Sequence, residues 1–211
     1  MLNLLAEAPL VFFVVFPGIL LSITIHEYAH CLAADLLGDP TPRSRDRLTL
    51  NPLAHLDTTG VIMMLVSGFG WGKPAPFDPY NLKNPLRDTA LIAAAGPASN
   101  ILIALILSII GRFIIGSSGF LFFTIIALIT INVSLAIFNL VPIYPLDGSK
   151  ILVALLPKKT SLDYELIMRK YGLFILILLV APLSRNASPV SQLISPVIDL
   201  MMSFFDSILL A

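Results

Sequence analysis

The 211-residue chain is 57% hydrophobic and only 12% charged, with a mean hydropathy of +0.91. An average soluble domain is about one quarter charged, so these proportions exclude an ordinary water-soluble domain and imply an integral membrane protein. Its 13 basic and 13 acidic side chains cancel, which leaves no global field for nucleic acid or an acidic partner, and the lone Cys31 excludes an internal disulfide.

The opening MLNLLAEAPLVFF lacks the basic start and small-residue cleavage site of a secretory signal, so it is expected to remain part of the structure. A membrane-spanning helix needs about 20 apolar residues. Residues 10–37, 88–110 and 120–140 meet that requirement, and the Gly-Ser cluster at 116–119 reads as a hairpin turn between the last two. Residues 171–183 are cut short by Pro182 and Arg185, and residues 190–211 contain Pro196, Asp199 and Asp206; both are read as further membrane helices. The expectation is an all-α polytopic membrane protein with about five transmembrane helices. It forms a single domain over 1–211, with a catalytic core at about 10–150 and additional C-terminal helices at about 171–211.

Between the first two spans lies GVIMMLVSGFG, residues 60–70. At helical rise it reaches about 16 Å, half the hydrocarbon thickness, so it is expected to be re-entrant or interfacial. The arginines of Arg43-Ser44-Arg45-Asp46-Arg47 alternate, as on one face of a strand. In Lys73-Pro74-Ala75-Pro76-Phe77 the prolines leave donors at Ala75 and Phe77 on one edge only, an edge-strand pattern suited to adding a substrate strand. The alternatives are a short β-hairpin-like membrane-associated region or a Pro-rich loop. If residues 60–70 do not cross, eleven of the thirteen basic residues share one side and only Arg112 and Arg185 lie opposite; the crowded side is then cytoplasmic.

Chemistry concentrates in His26-Glu27-Tyr28-Ala29-His30, an HExxH spacing. Residues four apart share a helix face, so both imidazoles can reach one metal ion with Glu27 beside a metal-bound water. With three His and three Glu in the chain, chance would produce the pattern in fewer than about one sequence in a thousand. A catalytic zinc usually takes three protein ligands. The candidate third is Asp147, in Asn139-Leu140-Val141-Pro142-Ile143-Tyr144-Pro145-Leu146-Asp147-Gly148. Pro142 and Pro145 disfavour a continued helix, so the chain should unwind there, with Gly148 relieving the tight backbone. A solvated Asp-Gly turn outside the membrane is the alternative. Two crossings between the motifs bring His26, His30 and Asp147 to one side, and three would not, which again requires residues 60–70 to be re-entrant.

These segments, with AGPASN at 95–100, RLTLNPLAHLD at 47–57 and FGWGKPAP at 69–76, resemble the site-2 protease family of intramembrane zinc metalloproteases, in its compact bacterial branch without a PDZ domain. The likeness covers about residues 17–150. It departs at Asp57-Thr58, where a proline is expected after the aspartate. The resemblance implies one Zn2+ per chain held by His26, His30 and Asp147, with Glu27 as the catalytic acid/base. It implies that Asn139 supports the active-site geometry or the oxyanion; capping its own helix end is the other reading of that residue. His55 is read as a substrate-orienting or ligand-supporting group or as a loop histidine, Ala75 and Phe77 as substrate-binding positions, and Asn100 chiefly as a helix-packing residue.

The function expected is hydrolysis of membrane-embedded or membrane-anchored protein substrates by regulated intramembrane proteolysis. The setting is the lipid bilayer of a bacterial inner membrane, with the active site toward the cytoplasm and the oligomeric state open. The alternative is a metal transporter or ion path through His26, His30, Asp35 and Asp147. Glu27 discriminates, because hydrolysis needs a base that is not a ligand.

Overall fold

The structure, a computed structural model, describes residues 1–114, 119–181 and 188–210; most of the turn expected at 116–119, and Arg185, lie outside them. In chain order the helices are α1 (Leu2–Glu7), α2 (Pro9–Leu36), α3 (Thr41–Ser44), α4 (Pro52–His55), α5 (Thr58–Ser67), α6 (Pro85–Arg112), α7 (Gly119–Asn139), α8 (Asp147–Leu155), α9 (Lys158–Val180) and α10 (Pro189–Leu210), with a 3-10 turn at Pro79–Asn81 before α6. Four of them, α2, α6, α7 and α10, are long and apolar enough to cross a membrane.

Local chemistry sets the short elements. Asp57 Oδ1 accepts from the Gly60 N–H at 2.8 Å to open α5, so the missing proline is not needed there, and left-handed Gly68, at φ +82°, closes it. Ten residues at helical rise span about 15 Å, too short to cross. Asp39 is fully buried and gathers the connection after α2, accepting from Thr41 Oγ1, Asn81 Nδ2 and the Asp78 N–H at 2.6–2.7 Å.

The spanning helices alternate in direction. Going up α2 from Ser22 to Ala34, its partners on α6 run down from Asn100 to Ile92, so the two are antiparallel. Asn100 meets Asn132 and Gly111 meets Ile125, which makes α6 and α7 antiparallel as well. Phe205 and Leu209 of α10 pack on Ala104, Ile125 and Ile129, while Val190 at its other end packs on Val141 and Leu146. The chain therefore returns across the bundle along α10.

That packing corrects the count of five. α9 opens with Lys158 and Lys159 and carries charges through Lys170, leaving only about ten apolar residues after it. Its apolar end, Leu176, Leu179 and Val180, lies against Val141 and Leu146, where α10 starts. Tyr164, near the start of α9, donates to the Pro142 carbonyl at 2.7 Å, so both parts of the helix lie at the same end of α7 and it has not carried the chain across.

The β-hairpin-like region is also corrected. Arg43 and Ser44 belong to α3, opened by Thr41 and Pro42, so the alternating arginines lie partly on a helical turn. Residues 73–77 carry no regular secondary structure, and the neighbouring pairing is a single antiparallel bridge, Leu56 to Gly72. Pro74 and Pro76 remove the donors that a ladder needs.

Candidate active site

The four-residue spacing on α2 sets the two imidazoles together, with ring centroids 4.6 Å apart and planes at 87°. Both are buried. Their outer nitrogens are committed: His26 Nδ1 lies 2.6 Å from Asn100 Oδ1, and His30 Nδ1 lies 2.7 Å from the Ile92 carbonyl. Both partners are acceptors, so each Nδ1 carries the proton and donates. Each Nε2 is then left with a lone pair, and both point at one atom, Asp147 Oδ2, at 3.1 Å.

Asp147 reaches that point because α7 stops. After Asn139 the chain turns through Pro142 and Pro145, with the Ile143 and Leu146 N–H groups bonded to Val141 O and Ile143 O at 2.8 Å. A Cβ on Gly148 would collide with the carbonyls of Leu140 and Val141, so its role is close backbone approach. α8 then begins at Asp147, which is buried. Lys150 Nζ stands 3.6 Å from Asp147 Oδ1 and 5.6 Å from the centre of the Phe77 ring.

Two imidazole lone pairs converging on a carboxylate oxygen make a set of acceptors with no donor between them. The three ligand atoms lie within 4.8 Å of one another, so the set fits a divalent cation of nitrogen and oxygen preference such as zinc. Gly96 of α6 supplies the room: a Cβ there would press on His30 Nε2 and stand 2.6 Å from His26 Nε2.

Glu27 is half-buried and lies outside the donor set. Its Oε2 accepts from the Ala75 N–H at 2.8 Å, so the backbone donor expected to meet a substrate strand is engaged by the glutamate. The chain approaches α2 closely at Gly72, where a Cβ would sit 2.7 Å from Ile23 Cγ2 and 3.5 Å from Glu27 Cγ. Arg47, nearly buried, anchors this strap by donating to the Lys73 carbonyl at 2.7 Å and the Pro74 carbonyl at 3.2 Å.

His55 is fully buried behind the strap. Its Nε2 donates to the Thr49 carbonyl at 2.6 Å, and its own carbonyl accepts from the Lys73 N–H at 2.8 Å. Burial pushes its pKa below the ordinary histidine value and the Arg47 charge adds to this, against the Thr49 hydrogen bond and the Glu27 charge.

Asn139 donates from Nδ2 to the Leu135 carbonyl at 2.9 Å, within its own helix. Asp35 is paired with Arg43 at 2.6 and 3.0 Å. Sequence reasoning treated Asn100 as a packing residue; it also orients His26, and its Nδ2 donates to Asn132 Oδ1 at 2.9 Å. Asn132 was missed. The available signal was that an amide within an apolar span must be paired.

The apolar bundle and this acceptor cluster are the arrangement expected of an integral-membrane metalloprotease. A family model described as peptidase family M50 matches residues 115–179. The "Putative zinc metalloprotease YwhC" of Bacillus subtilis is 37% identical over 183 residues, which cover 78% of this chain and 79% of that protein. The "Putative zinc metalloprotease Rip2" of Mycolicibacterium smegmatis is 30% identical over 65% of this chain and 55% of its own length, and that of Mycobacterium tuberculosis is 28% identical over 82% and 68%. No solved structure matches. The chain belongs to peptidase family M50, the site-2 protease family of zinc metalloproteases.

Proposed function

We propose that the protein cleaves peptide bonds of membrane-embedded or membrane-anchored proteins in regulated intramembrane proteolysis. In this reading one zinc ion is held by His26, His30 and Asp147 within one integral-membrane domain, whose core spans about residues 10–150. The observation that carries it is the convergence of both Nε2 atoms on Asp147 Oδ2 at 3.1 Å, with Glu27 beside but outside that cluster. A transit path is less well supported, because Asp35 is taken up by Arg43.

Zinc, when bound, supplies Lewis acidity that polarises the scissile carbonyl and lowers the pKa of a water molecule. Glu27 takes a proton from the attacking water on its carboxylate and delivers one to the leaving amine. The Ala75 N–H orients that carboxylate from the loop side. The Asn139 amide, with one N–H engaged by Leu135, has a second to offer the developing oxyanion. Residues 73–77, with Phe77 beneath Lys150, are the platform for an extended substrate, and His55 supports it from behind. The basic residues clustered around α3, the strap, α8 and α9 favour a cytoplasmic position for this end in a bacterial inner membrane.

Quantitative zinc analysis of the purified protein tests the reading together with His30→Ala and Glu27→Gln. Wild type should hold one tightly bound zinc and His30→Ala should lose it. Glu27→Gln should keep it while hydrolysis of a membrane-protein substrate falls by about 10²–10⁴-fold. Full turnover by a metal-loaded Glu27→Gln enzyme would overturn the mechanism.

A further inference from the structure

A chain of amides runs through the bundle behind His26. It starts at the Leu128 carbonyl on α7, which is acceptor-only. Asn132 Nδ2 donates to it at 2.9 Å, and this contact orients the Asn132 amide with its oxygen toward α6. That oxygen accepts from Asn100 Nδ2 at 2.9 Å, and the second Asn100 N–H reaches the Ser22 carbonyl on α2 at 3.4 Å. Both Asn100 donors are thereby spent on the far side. Only Oδ1 remains to face His26 Nδ1, at 2.6 Å.

The three side chains that lead from the Leu128 carbonyl to the ligand cluster, Asn132, Asn100 and His26, have no freedom to reverse. Asn132 is 2% exposed, Asn100 0% and His26 4%, so water cannot exchange for any bond in the series. If Asn132 turned over, its oxygen would face the Leu128 carbonyl and its amide group would face the Asn100 amide group, leaving two acceptors opposed and two donors opposed. Each mismatch carries the cost of an unmade buried hydrogen bond.

We infer that Asn132 is a positioning residue for the metal site: acting through Asn100, it holds His26 in the tautomer with the proton on Nδ1 and the Nε2 lone pair directed at the cation. This rests on the proposed ligand set. The remote amide lies on a different helix from either imidazole, so the registry of α7 against α6 is read out as the donor competence of a residue on α2.

The test uses the full-length protein in detergent, with zinc affinity measured by chelator competition and the ligand field read from the visible spectrum of the cobalt-substituted form. Asn132→Leu, of similar volume but unable to donate or accept, should weaken zinc binding by about tenfold, at the lower end of the 10–100-fold range for outer-shell partners, and should alter the cobalt bands. Asn132→Asp should restore most of the affinity, since a neutral buried carboxyl donates to Leu128 and accepts from Asn100 in the same order. In an Asn100→Leu background the Asn132→Leu change should cost nothing more. Asn132→Ser, too short to reach Asn100, takes the same measurements should the Leu variant fail to fold.

Unchanged affinity and cobalt spectrum in a folded Asn132→Leu or Asn132→Ser protein would overturn the relay. So would an equal loss with and without Asn100. A wild-type protein without tight zinc, or a His30→Ala variant that keeps it, would instead defeat the ligand assignment itself.

Discussion

Neighbouring residues on one turn of α2 are held by two different parts of the molecule. His26 and His30 are fixed from within the bundle, by a side-chain amide and a backbone carbonyl of α6. Glu27 is held from the loops, by a single backbone N–H of the strap that Arg47 anchors. The first support is buried and combines a side chain with the main chain of α6; the second is loop main chain at a half-buried position. The contrast suits the proposed chemistry, in which the ligands would stay in place through a turnover while a proton-transferring carboxylate would have to meet water and substrate.

Substitutions that strike one support and spare the other break the comparison open. Gly96→Ala has the largest expected effect. Its methyl group would press on both Nε2 atoms, whose rings are pinned by Asn100 and Ile92 and cannot swing away. Overpacking of this kind costs about 1–3 kcal/mol, or roughly 5- to 150-fold in zinc affinity. Chelator competition should show this loss, and retention of wild-type affinity would mean the α2–α6 contact gives more easily than its bonds imply.

Arg47→Ala strikes the other side. It removes the donor from the Lys73 and Pro74 carbonyls, and a charge-assisted bond of this type is worth about 1.5 kcal/mol or more. Turnover should fall by roughly tenfold with zinc stoichiometry unchanged, and Arg47→Lys should recover part of it. A parallel loss of zinc would show that the two supports are one.

The smallest effect is on pH dependence. Because the folded pKa of His55 lies below its unfolded value of 6.5, the unfolded chain binds more protons as pH falls. The stability tied to neutral His55 is therefore fully present above about pH 6.5 and declines as pH drops from there toward the folded pKa. The thermal midpoint of wild type should fall more between pH 7.5 and 5.5, both arbitrary settings on the order of one unit either side of that value, than that of His55→Gln. Equal slopes would remove His55 from the account.

Much of the site was legible beforehand because its signals are local. The HExxH spacing needs only 3.6 residues per turn, and the two prolines after Asn139 need only their missing N–H groups to stop α7. The side from which Asp147 enters followed from counting crossings between the motifs. The supports were not legible. Asn100 and Asn132 are polar letters in apolar spans, and nothing in their spacing says which amide faces which.

The strap and α9 failed for a related reason. Alternating arginines and edge prolines describe a strand only if a partner ladder exists, and here the backbone donor of Ala75 goes to a side chain 48 positions earlier. The apolar end of α9 had the composition of a membrane segment but found its partners beside Val141 and Leu146, so it packs without crossing.

Composition and periodicity alone determined that this chain lives in a membrane, where its principal helices run, and which residues are the candidates for its chemistry, because burial of apolar faces and helical repeat act over a few turns of chain. Tertiary structure alone decided what stands behind each of those residues. Hydrogen bonds between α2, α6 and α7 depend on registry and rotation across residues 32 to 78 apart, and those quantities exist only once the helices have packed.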